Sequence, residues 1–249
     1  VKYLQRKKFV ANGFYRYSER LLAKKFDGVA LMTGSINALE SLKQQTHAII
    51  YTTHASWWDV IADAYVAKLT GLEIHAPMDL DQLDKYWVLK YVGLFGVSSN
   101  KPLPFLRALS EIFTHTKRGA LLITPQAELL SNSIPSPEFK RGLMLAIEKY
   151  CDIPVYAISL EYAFWNESRP LVLLAVMRVD RPIAGELEPH LRQTLDRQTS
   201  ALLLSSSRRN SAEWSWLLRP KAKTLMTQDI AGGIRRVAGG KKYSAGHLR

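Results

Sequence analysis

At 249 residues the chain is long enough to bury one sizeable core, and with 47% hydrophobic and 22% charged residues it is not a disordered polypeptide. Its formal net charge of +12 calls for an anionic partner: nucleic acid, a membrane surface or an acidic small molecule. The single cysteine, Cys151, excludes an intrachain disulfide framework and suits a reducing compartment, and no run of roughly 18 apolar residues marks a transmembrane helix.

The chain opens on Val1 rather than Met, which is compatible with further residues upstream. Residues 3–26 have the spacing of an amphipathic helix. Tyr3, Val10, Phe14, Tyr17 and Leu21 share one stripe, and Lys2, Arg6, Arg16, Arg20 and Lys24 fall largely on another. Residues 1–25 hold eight Lys or Arg against one acid. This first segment, 1–28, therefore reads as a surface helix with a solvated basic face, or as a helix lying on anionic lipid. A short strand over 29–32 is broken at Gly34 and followed by a turn or short helix over 36–42. An apolar strand, 48–52, then hands over through Thr53, His54, Ala55, Ser56, Trp57 and Trp58 to a helix over 60–67, with Thr53 and Ser56 as candidate caps.

Beyond Gly71, a strand over 73–78 is expected to stop at Pro77. A short helix over 86–91 closes at Gly93, and a short strand follows over 94–97. The pattern continues with a helix over 102–118 stopped by Gly119, a buried strand over 120–123 and a helix over 141–150. Strands over 153–160 and 171–179 and a long helix over 186–204 follow. The tail, 230–249, mixes glycines with Arg235, Arg236, Lys241 and Lys242 and reads as a flexible basic extension. Strands alternating with helices imply an α/β domain over 29–229, with a mostly parallel central sheet flanked by helices. Ligands of such sheets sit beyond the carboxyl ends of the strands, where His54 and Pro125-Gln126 would both lie.

His54 and Asp59 form a candidate base and orienter. A neutral imidazole takes a proton from an alcohol when its other nitrogen is held, and a carboxylate both holds it and stabilises the imidazolium. Residues five apart on a regular helix lie about 140° apart around its axis. The pair meets only if His54 precedes the helix and Asp59 sits at its start. The spacing alone also fits a backbone-bonded His and a surface Asp, so the surrounding blocks decide between the readings.

Those blocks resemble the glycerophosphate and lysophospholipid acyltransferase superfamily, which includes the bacterial 1-acylglycerol-3-phosphate acyltransferases. Its first motif is His-x4-Asp after an apolar strand, as at His54 and Asp59. Gly93-Leu94-Phe95-Gly96-Val97 lies where the second motif belongs. Leu122-Ile123-Thr124-Pro125-Gln126-Ala127-Glu128 is similar to the third, an apolar strand followed by Phe-Pro-Glu-Gly. Phe139-Lys140-Arg141-Gly142-Leu143 resembles the Phe-Lys-x-Gly element, and 153–158 resembles the fourth motif, a strand carrying Pro. The likeness runs from about Arg16 to Leu160, with the five blocks in order. It implies a glycerol-3-phosphate acyltransferase-like fold and transfer of an acyl chain from acyl-CoA or acyl carrier protein to a hydroxyl. His54 would act as general base and Asp59 as its orienter, with no acyl-enzyme, no metal and no cofactor beyond the thioester co-substrate.

Two departures bear on the acceptor. Phosphate-using members carry an Arg after the second motif, where this chain reads Val97-Ser98-Ser99-Asn100-Lys101, and another after the third, where it has Leu129-Leu130. Arg suits phosphate because its planar fork bonds in a bidentate way. Lys101, Lys140 and Arg141 remain as point charges at that edge. Gln126 and Glu128 resemble a Phe-Pro-Gln-Gly-Glu variant in subgroups that act on glycolipids or glycosylated carotenoids. Pro125, Gln126, Glu128, Lys101, Lys140 and Arg141 are thus the candidate acceptor-binding residues, though Glu128 also fits a plain helix-capping or solvated carboxylate. Trp57 and Trp58 are candidates for an acyl or head-group pocket, or else packing residues. Trp214 and Trp216, among basic residues, read as a membrane anchor or as a packed C-terminal segment.

His75, His115 and His190 show no metal-ligand spacing. No Gly-x-Ser-x-Gly elbow and no glycine-rich phosphate loop occurs. The expected partners are an acyl-thioester donor, a lipid acceptor and an anionic membrane surface, at the cytoplasmic face of a membrane and peripheral to it. A non-catalytic lipid-binding relative is the alternative. Nucleic acid is the weakest partner, because the charge gathers in the first helix and the tail with no recognised nucleic-acid module.

Overall fold

The computed structural model describes residues 4–98, 102–166, 168–181 and 186–219. The strands β1 (Gly28–Met32), β2 (His47–Thr52), β3 (Glu73–Asp79), β4 (Leu94–Val97), β5 (Gly119–Ile123), β6 (Val155–Ala163), β7 (Leu171–Val179) and β8 (Trp214–Leu218) form one sheet. Their order is β4-β3-β5-β2-β6-β7-β1-β8. The run from β4 to β6 is parallel throughout, β7 turns antiparallel to β6, β1 runs parallel to β7, and β8 pairs antiparallel with β1. The architecture is therefore α/β, with a mixed sheet that is mostly parallel.

β5 is buried at every position and β2 at all but its first, as their unbroken apolar runs require of strands covered on both faces. The helices α1 (Lys8–Lys25), α2 (Ile36–Gln44) and α3 (Asp59–Thr70) build one core with the sheet around Leu22, Leu42, Ile61 and Tyr65. On the other face α5 (Pro102–His115), α6 (Gly142–Lys149) and α7 (Leu187–Arg208) pack through Leu109, Leu143 and Leu195. The short α4 (Leu80–Lys85) lies between β3 and β4 in the chain and packs on both. Gly93 enters β4 at φ 141°, and a Cβ there would collide with the carbonyl of Ile74 on β3.

Several elements differ from expectation, each for a local reason. α1 starts at Lys8, and its buried line is Ala11, Tyr15, Ser18 and Leu22, one position on from the anticipated stripe. Small Ala11 meets Ala64 and Ala67 of α3, so the helices approach along small residues. Val10, Phe14 and Leu21 flank that line, while Phe9 and Tyr17 stay exposed beside the basic face. Tyr3, assigned to the stripe, lies outside the described residues.

β3 runs through Pro77 to Asp79. Glu73 donates toward β5 and Ala76 toward β4, so by alternation the missing N–H of Pro77 faces the β5 side, where pairing has ended at His75. Gly119 opens β5 instead of capping α5, which ends at His115. Trp214 is buried in β8, and its ring meets Trp165 edge-on at 5.8 Å, so it is a packing residue and not a surface anchor. The first helix shares its core with α3 and the sheet, whereas the boundary at 229 and the tail lie outside the described residues.

Candidate active site

β2 ends at Thr52, and the next six residues carry the chain into α3. Thr53 is tied to β6 twice: its N–H donates to the Ile158 carbonyl, and its hydroxyl accepts from the Leu160 N–H. Ser56 then caps the turn, its hydroxyl accepting from the Trp58 N–H and its carbonyl from the Asp59 N–H. His54 is thereby held ahead of the helix and Asp59 becomes its first residue, the arrangement that the spacing demanded.

His54 Nδ1 and Asp59 Oδ2 are 3.1 Å apart. The same oxygen accepts the backbone N–H groups of Ala55 at 2.8 Å and Ser56 at 2.9 Å, and Oδ1 accepts the Tyr162 hydroxyl at 2.6 Å. The carboxylate is 1% exposed. Four donors and the positive end of α3 compensate its burial. Burial first, and then the Asp59 charge, hold the Tyr162 hydroxyl protonated far above its ordinary range, so it stays a donor. With Nδ1 occupied, Nε2 of His54 is left to accept a proton. Ala55 and Ser56 spend their N–H groups on Asp59, so they do not serve a developing oxyanion.

Tyr162 carries no motif in the sequence. Its place follows from register: β2 and β6 pair up to Thr52 and Ile158, and β6 then runs on to Ala163. Tyr156, Ile158, Leu160 and Tyr162 alternate onto the α3 face, which brings Tyr162 over the start of α3.

His54 and Asp59 line a cavity of about 160 Å³ between α1, α3, β3 and β4. Its walls are mostly apolar, from Phe14, Val60, Ala64, Ile74, Val92 and Leu122. Asp63, one helical turn beyond Asp59, also lines it. Burial, reinforced by the Asp59 charge, pushes the Asp63 carboxyl well above its ordinary value of 3.8, which favours its protonated form in the folded protein. The unfolded chain ionises Asp63 near its ordinary value, so the folded state binds the extra proton, and stability falls as pH rises from about 4. Asp63→Asn is therefore expected to stabilise the protein more at about pH 8 than at about pH 4. Chemical denaturation at the two pH values reads the difference.

A scan against protein-family models finds no match for this chain, and a search of curated proteins finds none. The geometry carries the functional reading.

The remaining anticipated site residues are divided. Pro125 follows β5 at the same sheet edge and is buried, its carbonyl accepting the Lys140 N–H. The Leu130 N–H donates to the His54 carbonyl, so the loops after β2 and β5 are joined. Gln126 is 5% exposed and turns into a second cavity of about 240 Å³, behind the loop that carries Thr53 and His54. Its Nε2 donates to Ser136 at 3.3 Å, and its Oε1 is buried without a partner. Ala127 stands where the resemblance has glycine and adopts the left-handed conformation at φ 58°.

Glu128, Lys140 and Arg141 are exposed and line neither cavity. Lys101 lies outside the described residues. Trp57 is exposed and stacks on Trp58, which meets Phe26 edge-on at 4.9 Å. Neither tryptophan lines the cavity beside His54: Trp58 packs on Trp57 and on the core, and Trp57 is exposed to solvent. Among the described residues no group of three His, Cys, Asp or Glu side chains is placed to hold a metal ion.

Proposed function

We propose that this protein is an O-acyltransferase that moves an acyl chain from a thioester, acyl-CoA or acyl carrier protein, to a hydroxyl of a lipid acceptor. The observation that carries the reading is the Asp59-held imidazole of His54 beside an apolar cavity. His54 Nε2 removes the acceptor's hydroxyl proton as its oxygen attacks the thioester carbonyl. The tetrahedral intermediate collapses, the carbon–sulfur bond breaks, and the leaving thiolate takes the proton back from His54. Asp59 stabilises the intervening imidazolium, and no acyl-enzyme forms.

The acceptor is an uncharged, hydroxyl-rich head group. The cavity that holds Gln126, across the Thr53–His54 loop from the apolar one, is lined by Ser131, Asn132, Ser133, Ser136, Asp196 and Thr199, and no Lys or Arg lines it among the described residues. Hydroxyl, amide and carboxylate groups complement a sugar better than a phosphate, which favours glycolipids or glycosylated carotenoids over lysophospholipids. The protein works as a peripheral enzyme at the cytoplasmic face of a membrane. In support, no described helix is long and apolar enough to cross one, and α1 exposes Phe9 and Tyr17 beside Arg16, Arg20 and Lys24.

Release of free thiol from acyl-CoA, with mass spectrometry of the lipid product, tests both parts. Acceptor-dependent release is expected, at least about tenfold faster with a glycolipid than with lysophosphatidate. Saturable turnover of lysophosphatidate as the better acceptor would sink the head-group assignment, and thiol release without any acceptor would make the protein a thioesterase.

A further inference from the structure

The apolar cavity beside His54 is lined by two residues that each carry a buried polar atom without a hydrogen-bond partner. The Tyr15 hydroxyl, from α1, and Oδ1 of Asp63, from α3, are both buried without a hydrogen-bond partner, and both residues line the cavity. Tyr15 is 7% and Asp63 8% exposed, so solvent at the surface does not satisfy them. Buried polar groups in folded proteins are almost always paired, and an exception calls for a physical reason. A plain hydrocarbon chain in this cavity would leave both groups unbonded.

Burial favours the protonated form of Asp63, in which the carboxyl both donates and accepts, as the phenol does. Neither the phenol nor the protonated carboxyl carries a charge that would draw an ammonium or phosphate group into an apolar space. The group that suits both is a hydroxyl, which donates one hydrogen bond and accepts another. Its position along a chain is bounded too: Asp63 is four residues beyond Asp59, about 6 Å along the helix axis. A chain whose carbonyl lies at His54 reaches that depth within its first several carbons.

We infer that the cavity selects an acyl chain bearing a hydroxyl near its carboxyl end, bonded by Tyr15 and Asp63. This inference rests on the acyl-transfer reading for the placement of the carbonyl at His54. It assigns to α1 a part in choosing the donor, in addition to its exposed basic face.

The test compares binding of tetradecanoyl-CoA with its 3-hydroxy and 5-hydroxy forms to the full chain by titration calorimetry. One hydroxylated chain is expected to bind about tenfold more tightly than the plain chain, and the ratio to fall to about twofold or less in Tyr15→Phe and in Asp63→Leu. Tyr15→Phe loses no hydrogen bond, so its melting temperature is expected to be unchanged or raised. Equal affinities in the wild type, or a preference that survives both substitutions, would overturn the inference. A lowered melting temperature in Tyr15→Phe with an unchanged ratio would also overturn it, because the hydroxyl would then be holding a structural water. Binding requires no turnover, so the two readings fail separately. A hydroxyl preference in a protein that transfers nothing sinks acyl transfer alone, and transfer with no preference sinks the hydroxyl site alone.

Discussion

His54→Ala is expected to lower acyl transfer by about a thousandfold or more while leaving the fold in place. The imidazole is 25% exposed, and the contact that anchors it is the one to Asp59. Removing it leaves Asp59 with three other donors, from Ala55, Ser56 and Tyr162. The link from this loop to the loop after β5 also survives, since it runs through the His54 backbone carbonyl. The melting temperature should therefore shift by no more than about 2 °C, the equivalent of roughly half to one kcal/mol for a chain of this size. Thiol release from acyl-CoA and a thermal melt of the same preparation check the two halves. A folded variant that still transfers at the wild-type rate would remove His54 from the mechanism.

The placement of His54 was readable from the sequence because it depends on short-range signals. The apolar runs at 48–52 and 120–123 are too continuous for a half-exposed strand, and a helix follows the first within a few residues and the second after a loop. Neighbouring parallel strands bring the residues after them to one edge, which joins His54 to Pro125. What was not readable depends on pairings between distant segments. Tyr162 reaches Asp59 only through the register of β6 on β2. Trp214-Ser215-Trp216 alternates like a strand, yet nothing local says that its partner is β1. Gln126 shares an edge with His54 but enters a different cavity, because the turn from Thr124 to Ala127 swings its side chain behind the loop that carries His54. The phase of α1 eluded periodicity for another reason: the bulky residues that define a hydrophobic stripe flank the contact, and small Ala11 makes it. Asp63 carries no signal in the sequence beyond being an acid in a helix, because its raised pKa is a property of burial.

Asp59→Ala is expected to cost stability as well as activity, and to cost more than any other single change in this loop. The carboxylate gathers four donors from two separate segments: the loop, through the His54 side chain and the N–H groups of Ala55 and Ser56, and β6, through Tyr162. Alanine leaves them all unpartnered in a region with limited access to water, for a loss of about 3 kcal/mol in the denaturation free energy. Asp59→Asn keeps the shape and an acceptor, so it should cost about 1 kcal/mol, yet slow transfer by about 10²–10⁴-fold because the amide does not stabilise an imidazolium. Tyr162→Phe deletes one donor to a buried charge and should cost about 1–2 kcal/mol in the wild-type background. In the Asp59→Ala background the same Tyr162→Phe change should cost almost nothing, since its acceptor is gone. A double-mutant cycle with a coupling of about 1–2 kcal/mol would identify Asp59 as the hub that holds β6 to the loop carrying His54. Additive losses would show that Tyr162 stabilises the sheet on its own account, and would leave the orientation of His54 to the backbone of the loop.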